Sequence, residues 1–220
     1  LNKEIVIEIN QLVNPINSLN KKNIEEKIRK LINDSNSDYI IFAENNFPYL
    51  INKNNLSNLN NFIKKNKKVI IGATTIQDGD YYNSFFLLEK NKIQNFDKKI
   101  LVPFGEFLPF RKYLNFMEII SGSIDFKKGN TERIIITADN LKILPVICYE
   151  IVFDKIFKNI NKKEIDLLVN ITNDSWFGTK SGPYQHFYIS RIKALVANKP
   201  LVRVSNNGIS AIIDNNGKII

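Results

Sequence analysis

The sequence predicts an α/β protein built from stacked layers of sheet and helix rather than one doubly wound sheet. Three observations carry this. Strand-length apolar runs alternate with helical patterns along the chain. Several of those runs are apolar throughout, as in strands covered on both faces. Some strands also follow one another with only a turn between them, which a purely parallel sheet does not allow. At 220 residues, 44% apolar and 24% charged, the chain suits one domain with a well-buried core.

Taken in order, EIVIEI (4–9) reads as a strand from its β-branched content. KKNIEEKIRKLIND (21–34) sets Ile24, Ile28, Leu31 and Ile32 on one helical face. DYIIFA (38–43) is a short, continuous apolar strand, and NLSNLNNFIKKN (55–66) is a second amphipathic helix with Leu56, Leu59, Phe62 and Ile63 inward. KKVIIGA (67–73) and NSFFLLE (83–89) are strands around a DGD turn, within a strand region that runs on to 96. ERIIIT (132–137) and LKILPVIC (141–148) form the next pair. EIVFDKIFKNI (150–160) reads as a helix, IDLLVNIT (165–172) as a strand, and YQHFYISRIKALVAN (184–198) as a helix ended by Pro200. LVRVS (201–205) and ISAIID (209–214) close the series around an NNG turn. Residues 97–131 break the regularity, and an irregular stretch of that length in a compact domain is usually functional.

The formal net charge is +9, from 31 basic and 22 acidic residues. Nucleic acid and an anionic membrane surface are the two partners such a balance suggests. The lysines, however, are scattered through an Asn-, Ile- and Lys-rich composition. The densest runs, KKNKK (64–68) and DKKI (97–100), lack the interleaved aromatics of a single-strand binder. No nucleic-acid partner is therefore expected. A single cysteine excludes an internal disulfide and a multi-cysteine zinc site. No apolar run reaches the length of a membrane-spanning helix, and no signal peptide is visible. The start at Leu1 and the finish at NNGKII both read as cuts.

Three reactive residues occupy equivalent places. Glu44 follows the buried strand DYIIFA, Lys98 follows the strand region 83–96, and Cys148 ends the buried strand LKILPVIC. In largely parallel sheets the carboxyl ends of strands converge on one crevice. A thiol, a carboxylate and an ammonium meeting there suit nucleophilic catalysis. Glu44 takes the thiol proton, and Lys98 stabilises the thiolate and a developing oxyanion. Composition and spacing equally allow a packed core thiol, a solvated glutamate and one lysine among many.

The blocks LPVICYEIVF (144–153), KKILVPFGEFLPF (98–110) and NITNDSWFGTKSGPYQHFYISRIKAL with RVSNNGISAI resemble the nitrilase-like domain of the apolipoprotein N-acyltransferase family, from about Asp38 to the end. The resemblance implies a nitrilase-like four-layer αββα sandwich. Residues 1–220 are then one incomplete catalytic domain, with membrane-spanning segments lying outside this chain. It carries the family's Glu-Lys-Cys triad onto Glu44, Lys98 and Cys148, a further functional glutamate onto Glu106, and the residues after the cysteine onto Tyr149 and Glu150. It implies acyl transfer from a phospholipid to the amine of a diacylglyceryl-cysteine apolipoprotein through a cysteine thioester. The setting is the bacterial inner membrane, with the domain on the periplasmic side.

No cofactor or metal is implied, and the sole histidine, His186, builds no metal site alone. Trp176, Phe177 and His186 are candidates for the substrate entrance, with a small core beneath a loop as the alternative for the two aromatics and a structural role at a helix N-terminus as the equal alternative for His186. The apolar residues of 104–117, Phe104 and Phe107 among them, are expected to form a membrane-facing lid with Arg111 and Lys112 near headgroups. The alternative is a helix packed on the sandwich. Departures from the family are FAEN in place of Trp-Pro-Glu-Ser at Glu44, Phe96 for a tyrosine, Ile100 for a histidine, and Val196 for a glutamate. Two rival functions remain: a soluble carbon-nitrogen hydrolase with water as acceptor, and an inactive domain that binds lipid or a partner.

Overall fold

Two five-stranded sheets stack face to face, each with helix on its outer surface, in a computed structural model that describes residues 4–13, 20–52, 55, 56, 59, 67–90, 92–109, 124–130, 132–158 and 164–220. The first sheet has strands in the order β1 (Ile7–Asn10), β2 (Tyr39–Phe42), β3 (Lys68–Gln77), β4 (Asp80–Glu89) and β5 (Lys92–Asp97). The second runs β10 (Ala211–Ile213), β9 (Leu201–Ser205), β8 (Leu167–Thr172), β7 (Lys142–Ile147) and β6 (Ile135–Ile136). β1–β2–β3 and β7–β8–β9 are parallel. β3–β4–β5, β6–β7 and β9–β10 are antiparallel. The helices are α1 (Lys21–Asp34), α2 (Lys155–Lys158) and α3 (Ser181–Ala197). The expected four-layer αββα order is thus the observed one.

Strand alternation explains the layers. In β2, Tyr39 and Ile41 face the partner sheet while Ile40 and Phe42 face outward, and all four are fully buried. In β7, Ile143 and Ile147 point between the sheets, and Leu144 and Val146 point toward the helical layer of α3. This double burial is why these strands read as continuous apolar runs. α1 covers the first sheet with Ile28 and Ile32, and Asn20 Oδ1 caps it by accepting a hydrogen bond from Asn23 N at 3.2 Å. α3 ends at Asn198 in the left-handed conformation (φ 51°), two residues before Pro200.

Several elements depart from expectation. β1 begins at Ile7 rather than residue 4, and β6 keeps only two residues. The strand region 83–96 is two strands, β4 and β5, paired from Glu89↔Lys92 to Ser84↔Asp97. Asp78 (φ 52°) and Gly79 (φ 88°) make the tight turn before β4. The expected helix 150–160 is a 3-10 turn, Cys148–Val152, followed by the single turn α2. Phe153 between them is extended (ψ 113°), which stops the first turn from propagating. Of the expected helix 55–66, residues 55, 56 and 59 are described; Leu59 is buried and Leu56 packs in the same outer cluster. Phe62 and Ile63 lie outside the described residues.

β2 runs parallel to β3, and β5 is reversed twice relative to β3, so β2 and β5 point the same way. Their carboxyl ends carry Glu44 and Lys98. The carboxyl ends of parallel β7 and β8 carry Cys148 and Asn173 to the same edge of the sandwich. Gly72 on β3 makes the Glu44 turn possible. Its N–H donates to Ala43 O at 3.1 Å and its carbonyl accepts from Phe47 N at 3.0 Å. A Cβ there would lie 2.6 Å from Asn45 N and 2.7 Å from Glu44 Cα. Gly72→Ala therefore pushes the turn off the sheet. A denaturant melt should show a loss of about 1–3 kcal/mol, and a melt matching the parent would refute this close-packing account.

Candidate active site

Three of the turns that build the site, those of Glu44, Glu106 and Cys148, hold a residue in an uncommon backbone conformation. Asn45, which follows Glu44, has φ 50°, Cys148 has φ 50°, and Phe104, two residues before Glu106, has φ 63°. A left-handed conformation costs a non-glycine residue about 1–2 kcal/mol. At Cys148 it turns the chain abruptly from β7 into the 3-10 turn, leaving the thiol at the floor of a cavity. The Glu44 turn is fixed to the second sheet by Asn206, whose Nδ2 donates to Glu44 O at 2.7 Å and whose Oδ1 accepts from Asn46 Nδ2 at 2.6 Å.

Glu44, Lys98 and Cys148 come together, and Glu106 joins them. Lys98 Nζ lies 2.8 Å from Glu106 Oε1 and 3.9 Å from Glu44 Oε1, and the lysine is 1% exposed. Glu44 Oε1 accepts from Asn83 Nδ2 at 2.6 Å, and its Oε2 accepts from the Asn173 backbone N–H at 2.6 Å. Glu106 Oε1 also accepts from Asn83 Nδ2 at 3.0 Å, and Oε2 from Val102 N at 3.0 Å. Burial pushes the Cys148 thiol up to about 12, with the negative Glu44 adding to it and Lys98 opposing. Burial also raises Glu44 above the usual carboxylate range, with Lys98 pulling the other way. Burial alone would lower Lys98, but the acidic groups beside it, Cys148, Glu44 and Glu106, each of which becomes negative on ionising, outweigh it and hold the ammonium's proton more tightly than usual. The resting site is a protonated thiol beside a carboxyl group of raised proton affinity and a fixed positive charge.

The cavity over these groups holds about 360 Å³ and is lined by Glu44, Asn45, Asn83, Lys98, Val102, Gly105, Glu106, Phe126, Cys148, Tyr149, Asn173, Trp176 and Phe177. A larger hollow of about 570 Å³ lies across the Glu44–Asn45 turn; it shares Asn45 and Asn173 but is lined by none of Glu44, Lys98 and Cys148. Chemistry therefore belongs to the smaller one.

The carbon-nitrogen hydrolase family matches residues 19–220 of the chain. The chain belongs to that family. Among curated relatives, the apolipoprotein N-acyltransferase of Rickettsia typhi is 47% identical over 143 residues, covering 64% of this chain and 29% of that protein. That of Wigglesworthia glossinidia brevipalpis is 39% identical over 217 residues, covering 90% of this chain and 42% of that protein. The chain thus spans less than half the length of these relatives. Among solved structures, Saccharomyces cerevisiae Nit3, a member of branch 10 of the nitrilase superfamily, superposes with a TM-score of 0.70 at 18% identity, covering 98% of this chain and 84% of Nit3. That likeness speaks for the fold.

In this member of the family, the remaining sequence-predicted residues fall in different places. Tyr149 and Phe177 line the cavity, their rings tilted by 36° with centroids 6.0 Å apart. Trp176 lines it too and is 70% exposed, so it stands at the rim rather than in a core under a loop. His186 does not line the entrance. It is 2% exposed beneath Tyr149 and Phe177, with Nδ1 2.9 Å from Asp174 Oδ1. Phe104 is 43% exposed, Phe107 is half-buried, and neither lines the cavity. Residues 110–117 of the expected lid, including Arg111 and Lys112, lie outside the described residues. Phe96 is buried under the Arg133 guanidinium, 4.5 Å from its ring centre. Ile100 packs at the edge of the outer core beside α3, and Val196 is on the exposed side of α3.

Glu150 has a different part from the helix-start charge its position suggests. It is fully buried; its Oε1 accepts from Lys99 N and Ile100 N, both at 3.0 Å, and its Oε2 accepts from Ile147 N at 3.0 Å. Arg133 closes the pair with both guanidinium nitrogens, at 2.8 and 2.9 Å. Asn83, Asn173 and Arg133 are site residues that sequence reasoning passed over. The one signal was Asn83, a carboxamide opening an otherwise apolar run.

A second buried network supports the Cys148 corner from below. Arg203 donates to Asp174 Oδ2 at 2.7 Å and to Ser190 Oγ at 3.1 Å, and Thr172 Oγ1 donates to Asp174 Oδ1 at 3.0 Å. Burial alone would raise Asp174, but the His186 hydrogen bond and the Arg203 charge hold it at about 2. A depressed carboxylate contributes stability that is complete above its unfolded value of about 3.9 and is lost as pH falls through about 2. Asp174→Asn should remove this part of the acid dependence. It should also cost about 3–5 kcal/mol at neutral pH, because Arg203 is left buried without its partner. Denaturant melts between pH 2 and pH 7 measure both, and an unchanged acid limb would refute the assignment.

Proposed function

We propose that this chain is the catalytic domain of an apolipoprotein N-acyltransferase, moving a fatty acyl chain from a phospholipid to the N-terminal amine of a diacylglyceryl-cysteine lipoprotein. The observation that carries the reading is the 39% identity to such an enzyme across 90% of this chain. The cavity chemistry supports it. Glu44 takes the Cys148 proton as the sulfur attacks the ester carbonyl. An S–C bond forms, and the oxyanion is held by Lys98 and the backbone N–H of Tyr149, each such donor contributing about 3 kcal/mol. The C–O bond to the lysophospholipid breaks, and Glu44 returns the proton to the leaving oxygen. The acceptor amine then attacks the thioester and loses a proton to Glu44; a C–N bond forms, the C–S bond breaks, and the proton passes back to sulfur. Glu106 anchors the Lys98 ammonium, so its positive charge stays aimed at the thiol. Tyr149, Trp176 and Phe177 form the apolar side on which an acyl chain rests.

The chain spans 29% and 42% of the two relatives named above. The reading therefore assigns it to a larger protein of the bacterial inner membrane, with this domain on the periplasmic side. Among the described residues no helix is long and apolar enough to cross a membrane. No cofactor enters the scheme.

In membranes carrying the enzyme, Cys148→Ala should abolish transfer and Cys148→Ser should leave a trace, a loss of at least roughly a thousandfold. Mass spectrometry after incubation with phospholipid should find an acyl group on Cys148. Activity surviving in the alanine variant rules the scheme out. Release of free fatty acid without an N-acylated product would identify a hydrolase that uses water as acceptor.

A further inference from the structure

We infer that Asn83 is the positioning residue of this site: its carboxamide is the second donor that lets two carboxylates share one ammonium without Glu44 collapsing onto Lys98. The inference deepens the proposed acyl-transfer chemistry, though its geometry stands without the lipid substrates.

Glu44 Oε1 and Glu106 Oε1 are two acceptors, and Asn83 Nδ2 and Lys98 Nζ are two donors. They alternate around a ring with edges of 2.6, 3.0, 2.8 and 3.9 Å. The long edge is Lys98 to Glu44, beyond hydrogen-bond reach. Glu44 is thus held by neutral donors, Asn83 Nδ2 on one oxygen and Asn173 N–H on the other. Lys98 is committed to Glu106 instead. This separation has a chemical use. A Glu44 bonded directly to Lys98 would be a weaker base, and a Lys98 neutralised by Glu44 would be a weaker electrostatic partner for sulfur.

Two further facts support the assignment. Asn83 is 2% exposed on β4, and its carbonyl accepts from Lys98 N at 2.9 Å, so one residue sets both the lysine's backbone and the glutamates' side chains. Asn83 Oδ1 is buried and has no hydrogen-bond partner among the described residues. Leaving such an oxygen unpaired costs about 1–3 kcal/mol. Turning the amide over would instead aim that oxygen at two carboxylates. The glutamates therefore orient the carboxamide, at the expense of its own oxygen.

The charged and titratable groups around Glu44 are Lys98 after β5, Glu106 in the 102–107 turn, Cys148 after β7 and Arg203 on β9. Cys148 is the only cysteine of the chain, so its alkylation by iodoacetamide reports on this cluster alone and needs no lipid. The alkylation rate should rise with pH as Glu44 ionises, with a midpoint that belongs to the coupled cluster. Donation by Asn83 favours ionised Glu44. Asn83→Leu, nearly the same size, should move the midpoint up by about one pH unit and slow alkylation about tenfold below it. Asn83→Ser, which keeps a hydroxyl donor, should move it less. Glu106→Gln should move it down, because the negative Glu106 raises Glu44. A midpoint unmoved in Asn83→Leu and Asn83→Ser, with thermal melts showing both folded, overturns the inference. So does an equal shift in the same direction for Glu106→Gln, which would signal a generally loosened site. An acyl-transfer failure alongside the expected shifts would count against the lipid reading and leave the role of Asn83 standing.

Discussion

One buried carboxylate ties the site together. Glu150 belongs to the turn that carries Cys148, yet it accepts hydrogen bonds from the backbone on both sides of the crevice: Ile147 before Cys148, and Lys99 and Ile100 after Lys98. The thiol and the ammonium sit on different sheets, and the only covalent route between them is the long stretch from 98 to 148. Glu150 replaces that route with a contact of one side chain. Its charge is compensated by Arg133, which also donates to Pro145 O at 3.0 Å on β7. The strained backbone at Cys148 persists because the residues around it are over-determined in this way.

The rest of the site follows from burying charges without leaving any unpaired. Lys98, Glu44, Asp174 and Arg203 are all nearly or fully inaccessible, and each has a partner of opposite charge or a set of hydrogen-bond donors. The sandwich supplies the low-dielectric surroundings in which such pairs interact strongly. The same surroundings keep the thiol protonated until substrate arrives.

Much of this was legible in the chain. Strands buried on both faces, such as YIIF and KILPVI, announce themselves by unbroken apolar runs, and the position of Glu44 and Cys148 after such strands, with Lys98 after the strand region 83–96, places them at one edge. Other parts were not legible for stated reasons. β4 and β5 merged because the turn at Lys90 carries neither glycine nor proline. The run EIVFDKIFKNI has helical periodicity, but Glu150 spends its carboxylate on backbone N–H groups and Phe153 is extended. His186 looked like an entrance residue, and its burial depends on Asp174 and Arg203, which come from separate elements. The role of Asn83 depends on a side-chain meeting between residues 39 and 23 positions apart, which no local pattern encodes.

The thiol's burial and high proton affinity have a consequence outside acyl transfer. Peroxides and disulfides react with thiolates, and a cysteine held at about 12 presents almost none. The chain also has no second cysteine, so sulfenic acid formed here has no resolving thiol within these 220 residues. Keeping the sulfur protonated and buried at rest thus protects it against oxidants, and any step that removes the proton ends that protection.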